Sequence, residues 1–320
     1  MLRIVLLGRT GNIMFQYALG RVLARKHGVP LVLDASWYNA EGWAEISHFL
    51  KLPIQAQVRR KLSLASRALR NFTGKHFWEF GGAPFIREAE ADQSFDPRFL
   101  EVPNDCTLFG YFQTPLYFES MADELRAELK GLISMGARAS DPMSSCVTED
   151  ELSQPESVAI HVRRGDYLHH DCFKVCDTEY YQRSMREMRE RVPGAKFFIF
   201  SDDPDWCQEQ FKDSDVAAII GRRNNVTAIT GRRNHLAEKT AITGRRNHLA
   251  KKTATDDRRY APNPLHDLYL MSLASHHIIA NSSYSWWAAW IGSKPGQIVT
   301  MPDRWYAKDI IAPIEEKKWR

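Results

Sequence analysis

The 320-residue chain has no apolar run approaching the roughly 20 residues that a membrane-spanning helix needs. Its apolar start, Met1-Leu-Arg-Ile-Val-Leu-Leu, lacks a small-residue cleavage site and passes directly into a glycine turn. It therefore reads as a first buried strand rather than a leader. Cysteine is sparse: five residues, at 106, 146, 172, 176 and 207, an odd number without framework spacing. This excludes a disulfide scaffold and fits reduced thiols in a cytoplasm. Cys172 and Cys176 are separated by three residues and have no second pair, which argues against a zinc site. A Gly-x-Gly-x-x-Gly fingerprint is also missing, since Gly8-Arg-Thr-Gly11-Asn12 is only a glycine turn from strand to helix.

Net charge is small as well, +4 from 43 Lys and Arg against 39 Asp and Glu, but it is unevenly spread. Residues 221–259 carry eight Arg and three Lys against Glu238, Asp256 and Asp257, a surplus of eight, so the remainder of the chain carries −4. This segment holds a thirteen-residue tandem repeat, 228–240 and 241–253, identical except for Lys251 in place of Glu238. Two copies and a fragment are too few for a solenoid, and Thr-Gly interrupts each one. The composition predicts a mobile surface loop, because burial cannot offset its ordering entropy. Such a basic loop suits peripheral contact with an anionic membrane or glycan, without sequence-specific nucleic acid binding.

The rest of the chain alternates short β-rich runs with helical patterns. Strands are predicted at 2–7, 30–33, 157–162, 196–200, 276–280 and 297–301. Helices are predicted at 14–26, 117–132, 178–190 and 264–275. Alternation of this kind predicts parallel βαβ units. Residues 134–157 are polar and loop-like, as a linker would be, and a strand restarts the pattern at Ser157. The expected architecture is α/β, with two Rossmann-like lobes facing a central cleft, divided into 1–150 and 151–320.

Three predicted strands of the second half end in polar clusters: His161-Val-Arg163-Arg164-Gly-Asp166, Ser201-Asp202-Asp203-Pro204, and Asn281-Ser282-Ser283-Tyr284-Ser285. Ligands of open α/β sheets bind beyond the carboxyl ends of the strands, so a shared parallel sheet would aim all three clusters at one crevice. Arginine forks match phosphate oxygens, which makes Arg163 and Arg164 candidates for a diphosphate. Asn281, Ser282, Ser283 and Ser285 at a helix start offer hydroxyls and free N–H groups to an anion. Asp202 or Asp203 can accept the paired N–H donors of a guanine. The same aspartates could hold Mg²⁺, but the arginines can do that charge work, so no metal is expected. Taken singly, Arg-Arg on a loop is a solvated face and a Ser-rich helix start is an ordinary cap. Alignment at three strand ends favours the ligand reading. Trp286, Trp287 and Trp290 read as helix packing.

Four segments resemble the bacterial-type α1,2-fucosyltransferases of glycosyltransferase family 11: Gly11-Asn12-Ile-Met-Phe-Gln-Tyr-Ala18, Gly110-Tyr-Phe-Gln113, His161-Val-Arg-Arg-Gly-Asp-Tyr167, and 267–273 continuing through 279–287. The resemblance implies a GT-B-like fold and inverting, metal-independent transfer from GDP-fucose to a terminal galactose, in oligosaccharide or lipopolysaccharide biosynthesis. It implies Arg163 on the β-phosphate, His161 and Asp202 or Asp203 on the guanosine, and donor contacts from Gly11 and Asn12. Asp171, ten positions after His161, matches the spacing of the carboxylate base proposed in α1,6 relatives. Asp166 is the other catalytic candidate, or a brace for the arginines. Arg9-Thr10 and Ile13 depart from the family's usual Gly-Leu and Gln. The competing readings are a fucosyltransferase of α1,6 or protein-O type, and a polyanion-binding protein acting through the basic loop.

Overall fold

The computed structural model describes residues 1–60, 82–89, 94–138, 147–212, 216–221, 227–228, 263–307 and 319. The basic insert expected at 221–259 lies outside the described residues except at Gly221 and 227–228. Two sheets organise the chain. The first contains β1 (Leu2–Val5), β2 (Leu31–Asp34), β3 (Gln57–Arg59), β4 (Phe85–Arg87) and β5 (Cys106–Phe109) in the order β3-β2-β1-β5-β4, all parallel. The second contains β6 (Ser157–Val162), β7 (Lys196–Ser201), β8 (Val216–Gly221), β9 (Thr227–Ala228), β10 (His276–Ile278) and β11 (Val299–Thr300). Its order is β11-β10-β6-β7-β8-β9, parallel except where β9 meets β8. The α/β, two-lobed expectation is therefore met. Strands β3, β4, β5, β8 and β9 are additions to it.

Among the described residues the helices of seven residues or more are α1 (Thr10–His27), α2 (Ala40–Leu50), α3 (Ala122–Arg138), α4 (Thr178–Arg191), α5 (Pro204–Gln210), α6 (Pro264–Leu273) and α7 (Ser283–Ile291). Side-chain caps start several of them: Asn39 accepts from Gly42 N, Asp177 from Tyr180 N, and Asn263 from Leu265 N. Helix α1 ends at Gly28, whose φ of +63° places it in the left-handed cap, with Arg25, Lys26 and His27 in the last turn facing the helix's negative end. The linker expected at 134–157 is corrected over its first residues and again at Glu149–Leu152, a single helical turn capped by Thr148. Helix α3 continues to Arg138, because Gly136 and Ala137 are buried and Asn263 Nδ2 donates to Gly136 O.

Chain order reverses at one place in each sheet. The chain runs β1, β2, β3 outward and then returns to place β5 on the other side of β1. It runs β6, β7, β8 outward and later places β10 on the other side of β6. Each reversal opens a crevice at the carboxyl ends of two adjacent strands, β1/β5 and β6/β10.

One apolar core runs through both lobes. Phe15 of α1 lies 4.8 and 4.7 Å from the rings of Trp286 and Trp287 of α7, and Phe118 stacks on Trp287 at 5.4 Å. Trp286, Trp287 and Phe15 are fully buried and Trp290 nearly so, as their packing role requires. Burial of each such ring contributes about 2–3 kcal/mol. Consequently α1 is buried on nearly every face, between its own sheet and the second lobe. A second cluster covers the outer face of the second sheet, where Tyr181, Met185 and Met188 of α4 pack on Val158, Ile160 and Ile199.

Candidate active site

The two crevices open into one cavity of about 410 Å³, within the usual range of small-molecule sites. The first lobe contributes Gly8, Arg9, Thr10, Gly11 and Asn12 after β1, Glu45 of α2, and Tyr111 and Gln113 after β5. The second contributes His161 of β6, Arg163, Asp166 and Tyr167 after it, Ser282, Ser283 and Tyr284 after β10, and Cys172, Phe173, Trp305 and Tyr306.

Asn12 joins the lobes. Its Oδ1 accepts from Gln113 Nε2 at 2.6 Å and from Ser283 Oγ at 2.7 Å. Trp287 Nε1 donates to Gly11 O at 2.9 Å. A Cβ on Gly11 would lie 2.7 Å from Tyr284 N and 2.8 Å from Ser283 C, so only glycine admits this approach of backbones. Gln16 fixes the first wall: its amide accepts from Leu7 N and donates to Gly110 O. The segments 11–18, 110–113 and 279–287 thus meet at one point.

Arg163 is the most firmly held cation at the cavity. Its guanidinium is only 9% exposed, gripped by Asp202 Oδ2 at 2.7 Å and by Asp166 Oδ1, and it faces the Tyr167 ring at 5.5 Å. Asp202 Oδ1 accepts from Arg164 N at 2.9 Å, so both oxygens of Asp202 are engaged by the motif. His161, 7% exposed, lies beside Tyr284. Tyr167 donates to Asn281 O at 3.1 Å, and burial raises its phenol to about 12.

Several residues singled out from the sequence lie elsewhere. Arg164 points away from the cavity: Nε pairs with Asp203 at 3.0 Å and its guanidinium stacks 3.9 Å from the Trp206 ring. Asp202 and Asp203 do not line the cavity. The first holds Arg163, while the second holds Arg164 and caps α5 through Trp206 N. Asp171 is also outside the lining, with a side chain 88% exposed and paired to Lys174. Asn281 is consumed by the fold, donating to Phe173 O and Trp305 O, and Ser285 Oγ donates to Ser282 O. Among the described residues no group of three or more His, Cys, Asp or Glu side chains gathers as a metal would use.

Other residues of the site escaped the sequence reading. Glu88 follows β4, is 5% exposed, and accepts from Tyr111 N at 2.6 Å and Phe112 N at 3.1 Å. Burial outweighs those two donors and raises its carboxyl to about 7. Phe112, at φ +51°, occupies the left-handed region that side chains rarely adopt. Glu88 holds this strained turn, which presents Tyr111 and Gln113 to the cavity. Glu45, Trp305 and Tyr306 also line it. The turn at 110–113 belonged to a segment that drew attention, but a lone glutamate after a short strand carries no spacing signal.

Two parallel-sheet lobes meeting at a cavity form a GT-B-like arrangement, with a deeply held arginine at the cavity wall. The chain belongs to glycosyl transferase family 11, whose family model matches residues 66–228, half its length. It is 26% identical over 323 residues to an α-1,2-colitosyltransferase of Escherichia coli, covering 98% of this chain and 96% of that protein. It is 24% identical over 336 residues to the O-antigen biosynthesis glycosyltransferase WbnK of Escherichia coli, covering 98% and 97%. It is 26% identical to the galactoside α-(1,2)-fucosyltransferase 2 of Rattus norvegicus over 214 residues, 65% of this chain and 53% of that one. Among solved structures, an Arabidopsis thaliana FUT1 mutant in complex with GDP aligns with a TM-score of 0.44 and 13% identity, covering 96% of this chain and 72% of that one.

Proposed function

We propose that the chain transfers L-fucose from GDP-fucose to the 2-hydroxyl of a terminal galactose, with inversion, in the assembly of an O-antigen or related oligosaccharide. The second lobe, 151–320, holds the donor and the first, 1–150, receives the acceptor. The observation that carries the reading is Arg163, held between two carboxylates at the cavity wall beside His161 and the start of α7. Family membership and the α1,2 linkage in the names of relatives support it.

In this reaction the galactose O2 forms a bond to the anomeric carbon as the bond from that carbon to the β-phosphate oxygen breaks. The bonding pair leaves with GDP. Charge grows on the diphosphate in the transition state, so a preorganised guanidinium stabilises that state more than the ground state. Arginine serves this without a metal. Inversion requires the acceptor hydroxyl to arrive on the face of the anomeric carbon opposite the diphosphate. Of the described carboxylates lining the cavity, Asp166 is held on the Arg163 side and Glu45 stands on the first lobe. We take Glu45, rather than Asp171, as the acceptor of the hydroxyl proton.

The test is a panel of GDP-fucose, GDP-colitose, GDP-mannose and UDP-galactose against galactose-terminated acceptors, with product linkage determined by NMR. Transfer from GDP-fucose with a new α1→2 linkage is the expected result. Colitose is fucose without its 3-hydroxyl, so transfer from GDP-colitose alone would keep the reaction type and overturn the sugar. A different linkage, or no transfer from either donor, would overturn the proposal.

A further inference from the structure

Five side chains of alternating charge cross the mouth of the cavity from one lobe to the other. Arg9 Nε lies 3.5 Å from Glu45 Oε1, and its Nη2 lies 3.4 Å from Asp166 Oδ2. Asp166 Oδ1 takes Arg163 Nη2, and Arg163 Nη1 reaches Asp202. Asp166 therefore places its two oxygens on two guanidiniums from opposite walls, the arrangement in which a pair of arginines receives a phosphate. The inner pair is fixed, since Arg163 and Asp202 are each 9% exposed. The outer pair has room to move, with Arg9 49% and Asp166 36% exposed.

A second observation lies beside the first. Thr10, 3% exposed and lining the same cavity, has a hydroxyl with no hydrogen-bond partner among the described residues. It opens the eighteen-residue helix α1, whose first turn contains no acidic side chain to offset the positive end of the helix dipole.

We propose that Arg9 and the Thr10 hydroxyl form a second, first-lobe contact for the leaving diphosphate, and that Asp166 occupies the place of that anion until the donor enters. The inference rests on the donor reading given above. When the diphosphate arrives it takes Arg163 and Arg9 from Asp166, and Arg9 keeps Glu45 at the acceptor wall. Donor binding then draws the two walls onto one ligand.

Calorimetric titration with GDP and with inorganic diphosphate tests this in the wild type, Arg9→Gly, Arg9→Lys, Thr10→Val and Asp166→Asn. Arg9→Gly should weaken both ligands about tenfold, a typical effect of losing one charge-assisted contact. Arg9→Lys should fall between Arg9→Gly and wild type, because its point charge lacks the fork, and Thr10→Val should weaken binding about threefold. Asp166→Asn should tighten both ligands severalfold, since a neutral amide competes poorly for the two guanidiniums. A structural role alone would not tighten binding. Unchanged affinity in Arg9→Gly, or weaker binding in Asp166→Asn, overturns the inference. The lysine variant decides the matter should the glycine variant fail to fold. Wild-type protein that binds diphosphate as well as GDP removes the nucleotide from the donor reading and keeps this contact, whereas binding of neither overturns both.

Discussion

Replacing Glu88 by glutamine isolates one carboxyl whose titration is written into the fold. Glu88 is almost inaccessible, and the titratable groups around it are Tyr111, Tyr117 and Tyr306, which add no positive charge to keep it ionised. Its proton affinity rises from an ordinary 4.5 to about 7 because desolvation outweighs the Tyr111 and Phe112 amides. A carboxyl that holds its proton more tightly in the folded chain stabilises that chain fully below 4.5, and the contribution is lost as pH climbs through about 7. At about 1.4 kcal/mol for each tenfold change in proton affinity, the loss between pH 4.5 and pH 8 is about 3 kcal/mol. The amide of the Glu88→Gln variant does not titrate and keeps one acceptor for the turn. Urea denaturation of wild type and Glu88→Gln at pH 5, 6, 7 and 8 should therefore show wild type losing about 2.5 kcal/mol relative to the variant across that range. Taking the difference removes other titrating groups, such as the buried His277, whose depressed affinity acts in the opposite direction. Stability curves that stay parallel would refute the reasoning, because they would mean that Glu88 is ionised throughout.

Three further outcomes follow from the site. Arg163→Ala should lower turnover by about two to three powers of ten, by loss of a preorganised donor to the leaving group, and it should lower the melting temperature because Asp202 is left buried without its cation. Gly11→Ala forces a Cβ into the backbone of residues 283–284. It should cost about 1–3 kcal/mol in denaturant titrations and more than tenfold in transfer rate, the lobes being pushed apart. Asp171→Asn should change turnover by less than about threefold, since the side chain is exposed and outside the cavity.

The sequence disclosed those parts of the architecture that depend on short-range pattern. Strands with continuous apolar runs, such as 157–162 and 196–200, were legible because a strand buried on both faces admits little else. Strands β3 and β4, at the edges of the first sheet and three residues each, carry too few apolar positions to register. The double arginine shows a finer limit. Successive residues leaving a strand point to opposite sides, so His161 and Arg163 share the cavity while Arg164 turns to Trp206. Applying that alternation to the motif would have separated the two arginines in advance. Spacing along the chain points to Asp171, but Asp166–His169 and Asp171–Phe173 fold into two 3₁₀ turns that carry it outward. Glu88 is a case of a different kind. Its role depends on desolvation and on a left-handed residue 24 positions away, neither of which has a local signature.

The shared aromatic core bears on how such a protein can diversify. Phe15 sits among tryptophans supplied by the other half, and Phe118 stacks on one of them. A half exchanged for that of a relative would carry its phenylalanines into a cage shaped for different partners. Change at the rim of the cavity, around Glu45, Tyr111 and Tyr306, leaves that core untouched, whereas exchange of a whole lobe does not. The interior that unites the two halves makes them heritable only together.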